Sequence, residues 1–223
     1  MKPLLEIQIN YFACTISLNS ILLIPSWSSD MALGKQAKSL SKSQINAILS
    51  SLECTRYTER NRLVCLLSWR AGLRAHEISH LKWSMVLNAE QSVGADIRLE
   101  NAASKGSSGR VIPISKDLRS ALEAWRGVQN PTSDFVVSTE RSRRTSPQAI
   151  VNMFSRWYQQ LGFVGCSSHS GRRTFITNAA RKISLVGGSL RDVQMLAGHS
   201  SLRITQRYID GEQEAQRKIV DLI

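Results

Sequence analysis

Apolar residues recur at helical spacing through most of the chain after residue 40. The first such stripe, Ile45, Ile48 and Leu52, follows a capping-box sequence in which Ser41 precedes Gln44 by three positions. Similar patterns predict helices over residues 58–72, 77–81, 115–125, 146–162, 168–181 and 189–198, and closing helical pieces over 205–208 and 212–220. Ser168 is the expected cap of the helix over 168–181, and Ser189 and Asp192 form a Ser-x-x-acid opening for the helix over 189–198. The pattern therefore predicts a mainly helical protein.

Between residues 83 and 114 short, β-branched runs replace the helical stripes. Strands are predicted over residues 85–87, 95–99 and 111–114, separated by the turn-rich connections 88–94 and 102–109. The second connection is a Ser/Gly-rich loop that carries Lys105. The predicted fold class is thus α+β, mainly helical, with a small three-stranded antiparallel sheet.

The first 30 residues differ from the rest of the chain. They carry one basic residue, Lys2, and two acidic residues, Glu6 and Asp30, around an interrupted apolar run. We expect residues 1–38 to be a poorly ordered N-terminal extension and residues 39–223 to form one folded domain. Our preferred interpretation is a start codon assigned too early, with Met31 as the initiator. An exported leader and an amphipathic membrane anchor are the alternatives.

Composition adds an indication of the partner. The 223 residues contain 29 Lys and Arg against 17 Asp and Glu, which gives a formal net charge of +12. An excess of this size on a small domain indicates a polyanion, most often nucleic acid. The four cysteines form no CxxC pair, which is typical of reduced cytoplasmic thiols, and no run approaches the ~20 apolar residues of a membrane span.

Six residues stand out by their order along the chain. They are Arg74, Lys105, His169, Arg172, His199 and Tyr208. The first arginine follows Gly-Leu and precedes Glu77 by three positions, the lysine lies in the hairpin loop, and the tyrosine follows the Gly-His pair by nine residues. Each residue alone is typical of a surface, capping or core position, so only the set as a whole indicates a site.

This order resembles that of the catalytic domain of the tyrosine recombinase, or phage integrase, family over roughly residues 40–212. The resemblance implies that fold, and it implies a site-specific DNA recombinase that cleaves and rejoins DNA through a covalent 3′-phosphotyrosine at Tyr208, without metal or ATP. One departure is Gly171, where the family usually has Leu before the second arginine. We expect the loss of that side chain to loosen the helix that carries Arg172.

The residue types suit cleavage of a phosphodiester. Tyr208 supplies a phenolic nucleophile, and its phosphotyrosine ester conserves the bond energy for religation. Arg74 and Arg172 offer planar guanidinium groups to the non-bridging oxygens. Lys105 is the expected general acid for the departing 5′-oxygen.

Three further residues complete the expected site. His169 is the expected proton acceptor or orienter for Tyr208, and His199 the expected hydrogen-bond donor to the phosphate. Glu77 is assigned structural support. No cofactor or metal is expected, since the sequence shows no cluster of acidic residues, no His/Cys ligand spacing and no phosphate-binding glycine loop.

The expected partner is double-stranded DNA carrying a specific recombination site, and no membrane. Contacts to the duplex are predicted for Arg141, Arg143, Arg144 and Arg173. The resemblance further implies a homotetramer on paired sites. The segment before residue 41 is shorter than the core-binding domain of most family members, which makes the chain similar in size to the bacterial fimbrial phase-variation invertases. Reliance on a DNA-bending accessory protein or on neighbouring protomers follows from that interpretation.

Two other functions stay open at this point. One is a DNA relaxation activity like that of type IB topoisomerases, which use a similar residue set. The other is a non-catalytic DNA-binding relic of a mobile element. Covalent attachment to specific DNA distinguishes the recombinase from both.

Overall fold

The computed structural model describes residues 37–104, 108–129, 133–140, 142–208 and 220–221. All of them belong to one of the two units into which the chain divides, Gln36–Ile223. The expectations for the N-terminal extension up to residue 36, including Met31 as initiator, lie outside the described residues. So does the predicted helix over 212–220, except for its last residue.

The described residues are mainly helical. Their helices are α1 (Lys42–Glu53), α2 (Thr58–Arg70), α3 (Ala75–His80), α4 (Lys116–Val128), α5 (Pro147–Gln160), α6 (Ser170–Lys182), α7 (Leu190–Ala197) and α8 (Leu202–Gln206). Their strands are β1 (Asp96–Leu99) and β2 (Arg110–Pro113). Short 3₁₀ turns lie at Trp83–Met85, Asn101–Ala103 and Ile183–Val186.

Local capping explains where several helices begin. The capping box predicted at α1 is present, with the Ser41 side chain accepting from the backbone N–H of Gln44 and the Gln44 side chain reaching back to the Ser41 N–H. At α7 the Asp192 carboxylate reaches back in the same way and accepts from both the backbone N–H and the hydroxyl of Ser189. This second box orients the short helix whose end reaches the candidate site.

The start of α6 differs from the prediction. Ser168 was expected to cap this helix, but the cap position is His169, and its side chain makes no capping hydrogen bond. The chain instead closes a turn in which the Ser170 N–H donates to the Ser167 carbonyl and the Ser170 hydroxyl accepts from the Ser167 N–H. This turn satisfies the local polar groups and leaves the His169 imidazole available at the helix start.

The sheet in the described part of the chain has two strands rather than three. β1 and β2 pair antiparallel, with Ile97 opposite Ile112. The predicted strand over 85–87 instead folds back on itself, because the Asn88 N–H donates to the Ser92 carbonyl and leaves one isolated bridge between Leu87 and Val93. The prediction of a small antiparallel sheet is therefore confirmed, but the prediction of a third strand over 85–87 is wrong.

Two hydrophobic clusters of unequal size are found among the residues that the structure describes. The larger contains thirty buried residues, many of them from α2, whose apolar positions lie against α4 and α6. The smaller consists of Ile176, Val193 and Ala197, with Tyr208 packed against it. α6 runs between the two clusters, since it packs on α2 on one side and on α7 on the other.

Neither a membrane span nor a metal-binding cluster is found among the described residues. None of the helices that the structure describes is long and apolar enough to cross a membrane. Within the same residues, no group of three or more His, Cys, Asp or Glu side chains is placed to hold a metal ion. The described cysteines, Cys54, Cys65 and Cys166, are free thiols.

Candidate active site

Five of the six residues singled out in the sequence line one cleft of about 890 Å³. They are Arg74, His169, Arg172, His199 and Tyr208. The sixth, Lys105, lies outside the described residues. Ser108 and Gly109, the first described residues after it, line the same cleft and lead directly into β2.

Arg74 is held at its base by Glu77. Glu77 is fully buried, and one of its carboxylate oxygens accepts from the Arg74 backbone N–H at 2.9 Å. The other accepts from the Arg74 guanidinium at 2.8 Å. Burial would raise the pKa of Glu77, but hydrogen bonds and charges from Arg110 and Arg74 bring it below its ordinary value. The carboxylate is thus charged at neutral pH, which fits the predicted supporting role.

Arg172 is buried under the cleft, with 2% of its surface exposed. Its two terminal nitrogens donate to the carbonyls of Gly72 and Ala197, at 2.7 and 2.6 Å. Burial lowers its pKa to about 10, and the neighbouring charge of Arg74 acts in the same direction. The guanidinium remains protonated at neutral pH and is fixed between the end of α2 and the end of α7 before any ligand binds.

Gly171 does not loosen the helix that carries Arg172. A Cβ added at this glycine would lie 2.3 Å from the Ser68 hydroxyl oxygen and 2.9 Å from the Ser68 Cβ. Ser68, which is fully buried in α2, therefore occupies the space that a side chain at 171 would need. The expected loosening is wrong, because α6 approaches α2 closely at this point.

His199 and Tyr208 form the C-terminal side of the cleft. Their rings stack at a centroid distance of 5.4 Å and an interplanar angle of 21°. The His199 Nδ1 lies 2.9 Å from the hydroxyl of Thr205, which is fully buried. Burial, together with the charges of Arg172 and the other arginines of the cleft, lowers the pKa of His199 to about 4. The imidazole is therefore neutral at pH 7.

His169 lies at the start of α6 and faces the same cleft. Partial burial lowers the pKa of its imidazole, and the positive charges of Arg172 and Arg74 add to this effect. The ring is thus in its neutral, proton-accepting form at pH 7.

The arginines predicted to contact DNA take different places. Arg173 lies over the Tyr208 ring, 5.8 Å from its centroid. Arg143 and Arg144 are exposed in the segment before α5, and neither is among the residues that line the cleft. Arg144 lies over the Phe135 ring. Arg141 falls outside the described residues.

Two residues of the site were missed by the sequence analysis. Arg110 lines the cleft and contacts Glu77 through both terminal nitrogens. The hydroxyl of Thr205 forms a hydrogen bond with Nδ1 of His199. The signal for Arg110 was a basic residue between the lysine loop and the predicted strand over 111–114. The signal for Thr205 was a small polar residue between His199 and Tyr208.

The comparison with protein families places these residues inside one match. The phage integrase family model matches residues 38–215. The tyrosine recombinase XerA of Thermococcus onnurineus is 30% identical over 184 residues, which cover 81% of this chain and 61% of the relative. The chain thus spans about three fifths of the length of this curated relative.

Solved structures show a similar fold at lower identity. A crystal structure of XerA recombinase superposes with a TM-score of 0.64 at 21% identity, covering 83% of this chain and 65% of that one. A crystal structure of the XerH site-specific recombinase bound to its difH substrate in a pre-cleavage complex gives a TM-score of 0.62 at 19% identity. That superposition covers 86% of this chain and 55% of the XerH chain.

Proposed function

Because this chain belongs to the phage integrase family, we propose that it is a site-specific DNA recombinase acting through a covalent 3′-phosphotyrosine at Tyr208. The observation that carries the proposal is the convergence of Tyr208, two imidazoles and two guanidiniums on one cleft. Such a set supplies a nucleophile, proton-transfer groups and anion stabilisation for one phosphodiester, and neither a metal nor ATP is needed for that chemistry.

In the proposed cleavage step the Tyr208 phenolic oxygen attacks the scissile phosphorus. A bond forms between phosphorus and the tyrosine oxygen, and the bond between phosphorus and the 5′-oxygen breaks. The phenolic proton passes to neutral His169, whose lowered pKa keeps the ring unprotonated beforehand. Lys105 protonates the departing 5′-oxygen from the loop whose described end, Ser108 and Gly109, lines the cleft.

The two arginines stabilise the charge that develops on the non-bridging oxygens. Arg172 is already fixed by two carbonyls, and Arg74 is held by Glu77, so neither needs to be ordered during the reaction. Donors that are preorganised in this way contribute roughly a few kcal/mol each to the transition state.

His199 donates a hydrogen bond to the phosphate in this proposal. It is neutral at pH 7, so it carries one ring proton. When the Thr205 hydroxyl donates to Nδ1, that proton resides on Nε2, the other nitrogen of the ring. Thr205 thereby selects the tautomer that can donate into the cleft.

The partner proposed is double-stranded DNA with a specific site, and a DNA partner also favours a cytoplasmic location. Residues 39–223 would form the catalytic domain and residues 1–38 an extension of it.

Each cleft carries one nucleophile, whereas exchange between two duplexes breaks four strands. We therefore propose a homotetramer on paired sites, with a DNA-bending accessory protein bringing the sites together. Arg143, Arg144, Arg173 and Arg141 are proposed contacts to the duplex.

Covalent capture from a pool of DNA sequences tests this function. The protein is incubated with nicked duplexes whose sequence around the nick is randomised, so that cleavage releases a short fragment and religation is prevented. Adducts that survive denaturation are recovered and sequenced. We expect an enriched sequence with the wild-type protein and none with Tyr208→Phe, which retains binding to duplex DNA.

Tyr158→Phe is the matched control. Tyr158 belongs to the larger hydrophobic cluster, and its buried hydroxyl has no hydrogen-bond partner among the described residues, so its removal should leave adduct formation intact. An adduct that persists in Tyr208→Phe contradicts the proposal. Relaxation of supercoiled plasmid without sequence enrichment would favour the topoisomerase-like function. Binding without any adduct in the wild type would favour the DNA-binding relic.

A further inference from the structure

Arg110, the first residue of β2, is bonded to the protein through all three nitrogens of its guanidinium. Its two terminal nitrogens donate to the two carboxylate oxygens of Glu77, both at 3.0 Å. Its Nε donates to the carbonyl of Leu196 at 2.8 Å, and Nη1 also reaches the Ser108 carbonyl at 3.4 Å. The side chain is 5% exposed. With four donor contacts used inside the protein, Arg110 is arranged to hold other groups rather than a substrate.

The first group that Arg110 holds is the carboxylate that anchors Arg74. Glu77 accepts from Arg110 and Arg74 together, so one buried negative charge is shared between two guanidiniums. Removal of Arg110 would leave both carboxylate oxygens to Arg74, which is the nearest remaining cation. The stronger pull would draw the Arg74 guanidinium towards Glu77 and away from a phosphate in the cleft.

The second group is the end of α7. Arg110 binds the Leu196 carbonyl, and the next carbonyl, that of Ala197, accepts from Arg172. Gly198 follows with a φ of 61°, and a Cβ on it would lie 2.9 Å from the Arg110 Nη1. The glycine is therefore required both by its backbone conformation and by the guanidinium that lies against it. His199 comes directly after this turn.

We propose that Arg110 is a positioning residue for DNA cleavage: it fixes Glu77 and the turn at residues 196–198 so that Arg74, Arg172 and His199 address one phosphate. This inference rests on the proposed function. Arg110 itself does not contact the substrate, and its effect is transmitted through the residues it binds. β2 is also the strand that follows the lysine loop. Arg110 therefore links the described end of that loop, at Ser108, to Glu77 and through it to Arg74.

The test compares Arg110→Met and Arg110→Lys with the wild type in single-turnover cleavage. The substrate is a nicked duplex of the sequence enriched by covalent capture, and the protein concentration is varied to separate the maximal rate from the half-saturating concentration. We expect Arg110→Met to lower the maximal rate about 10²-fold, the usual cost of misplacing catalytic groups by about 1 Å. The half-saturating concentration should change by less than about twofold, since binding is dominated by other phosphate contacts.

Arg110→Lys keeps the charge but cannot span both oxygens of Glu77 and the Leu196 carbonyl at once. We expect it to fold and to remain at least about tenfold slower than the wild type. Arg119→Met is the matched control, because Arg119 also donates to backbone carbonyls, those of Val93 and Gly94, and does not line the cleft. Its maximal rate should stay within about twofold of the wild type.

A second substrate separates positioning from general loss of structure. A methylphosphonate at the scissile position carries no negative charge, so its cleavage depends less on the guanidiniums. The defect of Arg110→Met and Arg110→Lys should therefore shrink on this substrate if Arg110 acts through Arg74 and Arg172. An equal defect on both substrates would overturn the inference.

The outcomes also separate this inference from the proposed function. A wild-type protein that forms no adduct overturns both. A wild-type protein that reacts, with both Arg110 variants reaching the same maximal rate, overturns the positioning role alone. A loss that appears wholly in the half-saturating concentration would make Arg110 a binding residue, which also contradicts the inference.

Discussion

The two sides of the cleft rest on hydrophobic clusters of very different size. Arg74 and Glu77 lie between Leu73 and Ile78, which belong to the cluster of thirty buried residues. Tyr208 packs against a cluster of three. The guanidinium side is also dense in hydrogen bonds to buried partners, whereas the Tyr208 ring is placed by stacking on its neighbours.

This difference separates two tasks. Stabilisation of an anionic transition state is most effective when the donors are fixed in advance. The larger cluster provides that rigidity for Arg74, and the carbonyls of Gly72 and Ala197 provide it for Arg172. In the proposed function Tyr208 attacks, remains attached and later leaves, and such a residue needs a support that can open at lower cost. Regions with few buried contacts have low local stability, which suits the Tyr208 side.

The largest expected effect comes from breaking the rigid side at Arg172. In Arg172→Lys a single ammonium replaces the two terminal nitrogens that bond the Gly72 and Ala197 carbonyls. We expect the rate of covalent adduct formation at saturating DNA to fall by about 10²–10³, the usual cost of losing one preorganised donor. Arg191→Lys, an exposed change on α7, is the control and should react normally. A normal rate in Arg172→Lys would contradict the preorganised role.

The clusters themselves can be compared by the same truncation in each. Val64 lies in the larger cluster and Val193 in the smaller, and both side chains are fully buried. Val64→Ala should lower the free energy of global unfolding by about 2 kcal/mol. Val193→Ala should change it by less than about 1 kcal/mol, and should instead speed hydrogen exchange in α7 and α8. Denaturant unfolding and exchange mass spectrometry measure the two quantities. Equal global losses would show one cooperative unit.

A smaller effect is expected where α6 approaches α2. Gly171→Ala places a Cβ 2.3 Å from the Ser68 hydroxyl, so it should destabilise the protein by about 1–2 kcal/mol. Ser68→Ala removes that hydroxyl, which is buried without a hydrogen-bond partner among the described residues, and should cost little by itself. The double variant should therefore be more stable than the sum of the single changes predicts. Strict additivity would contradict the steric explanation.

The structure also shows which features the sequence could predict. Capping at Ser41 and Ser189 was confirmed because a capping box depends on residues three positions apart. The fold class could be predicted because the order of the six residues spans most of the chain. The family match and the superposed structures confirm it. The catalytic roles of those residues stay predictions.

The features that were missed depend on contacts distant in sequence. The pairing of Arg110 with Glu77 joins residues 33 positions apart, and no local pattern indicates such a pair. The space at Gly171 is filled by Ser68 from another helix, so the family comparison alone suggested a gap where there is none. The prediction of a third strand was wrong because the segment after Met85 forms a tight turn with its own neighbours.

The smallest expected effect is the pH dependence of stability that comes from His199, on the Tyr208 side of the cleft. The pKa of His199 is about 4 in the folded protein, below its ordinary value of 6.5. Between these values the unfolded chain binds a proton at this ring and the folded protein does not. The contribution of His199 to the free energy of unfolding is therefore fully present above about pH 6.5 and is lost as the pH falls towards 4.

His199→Gln removes this dependence while its amide can still pair with Thr205. At pH 5.5 the wild type should have lost about 1 kcal/mol relative to pH 7.5 that the variant retains, which corresponds to a difference of about 2–4 °C in the fall of Tm. Thermal unfolding followed by circular dichroism at both pH values measures it. The His169 ring titrates in both proteins and so cancels from the comparison. Parallel losses in the two proteins would mean that His199 is as readily protonated as a free imidazole, and the Tyr208 side of the cleft would then be open to water rather than closed over a neutral histidine.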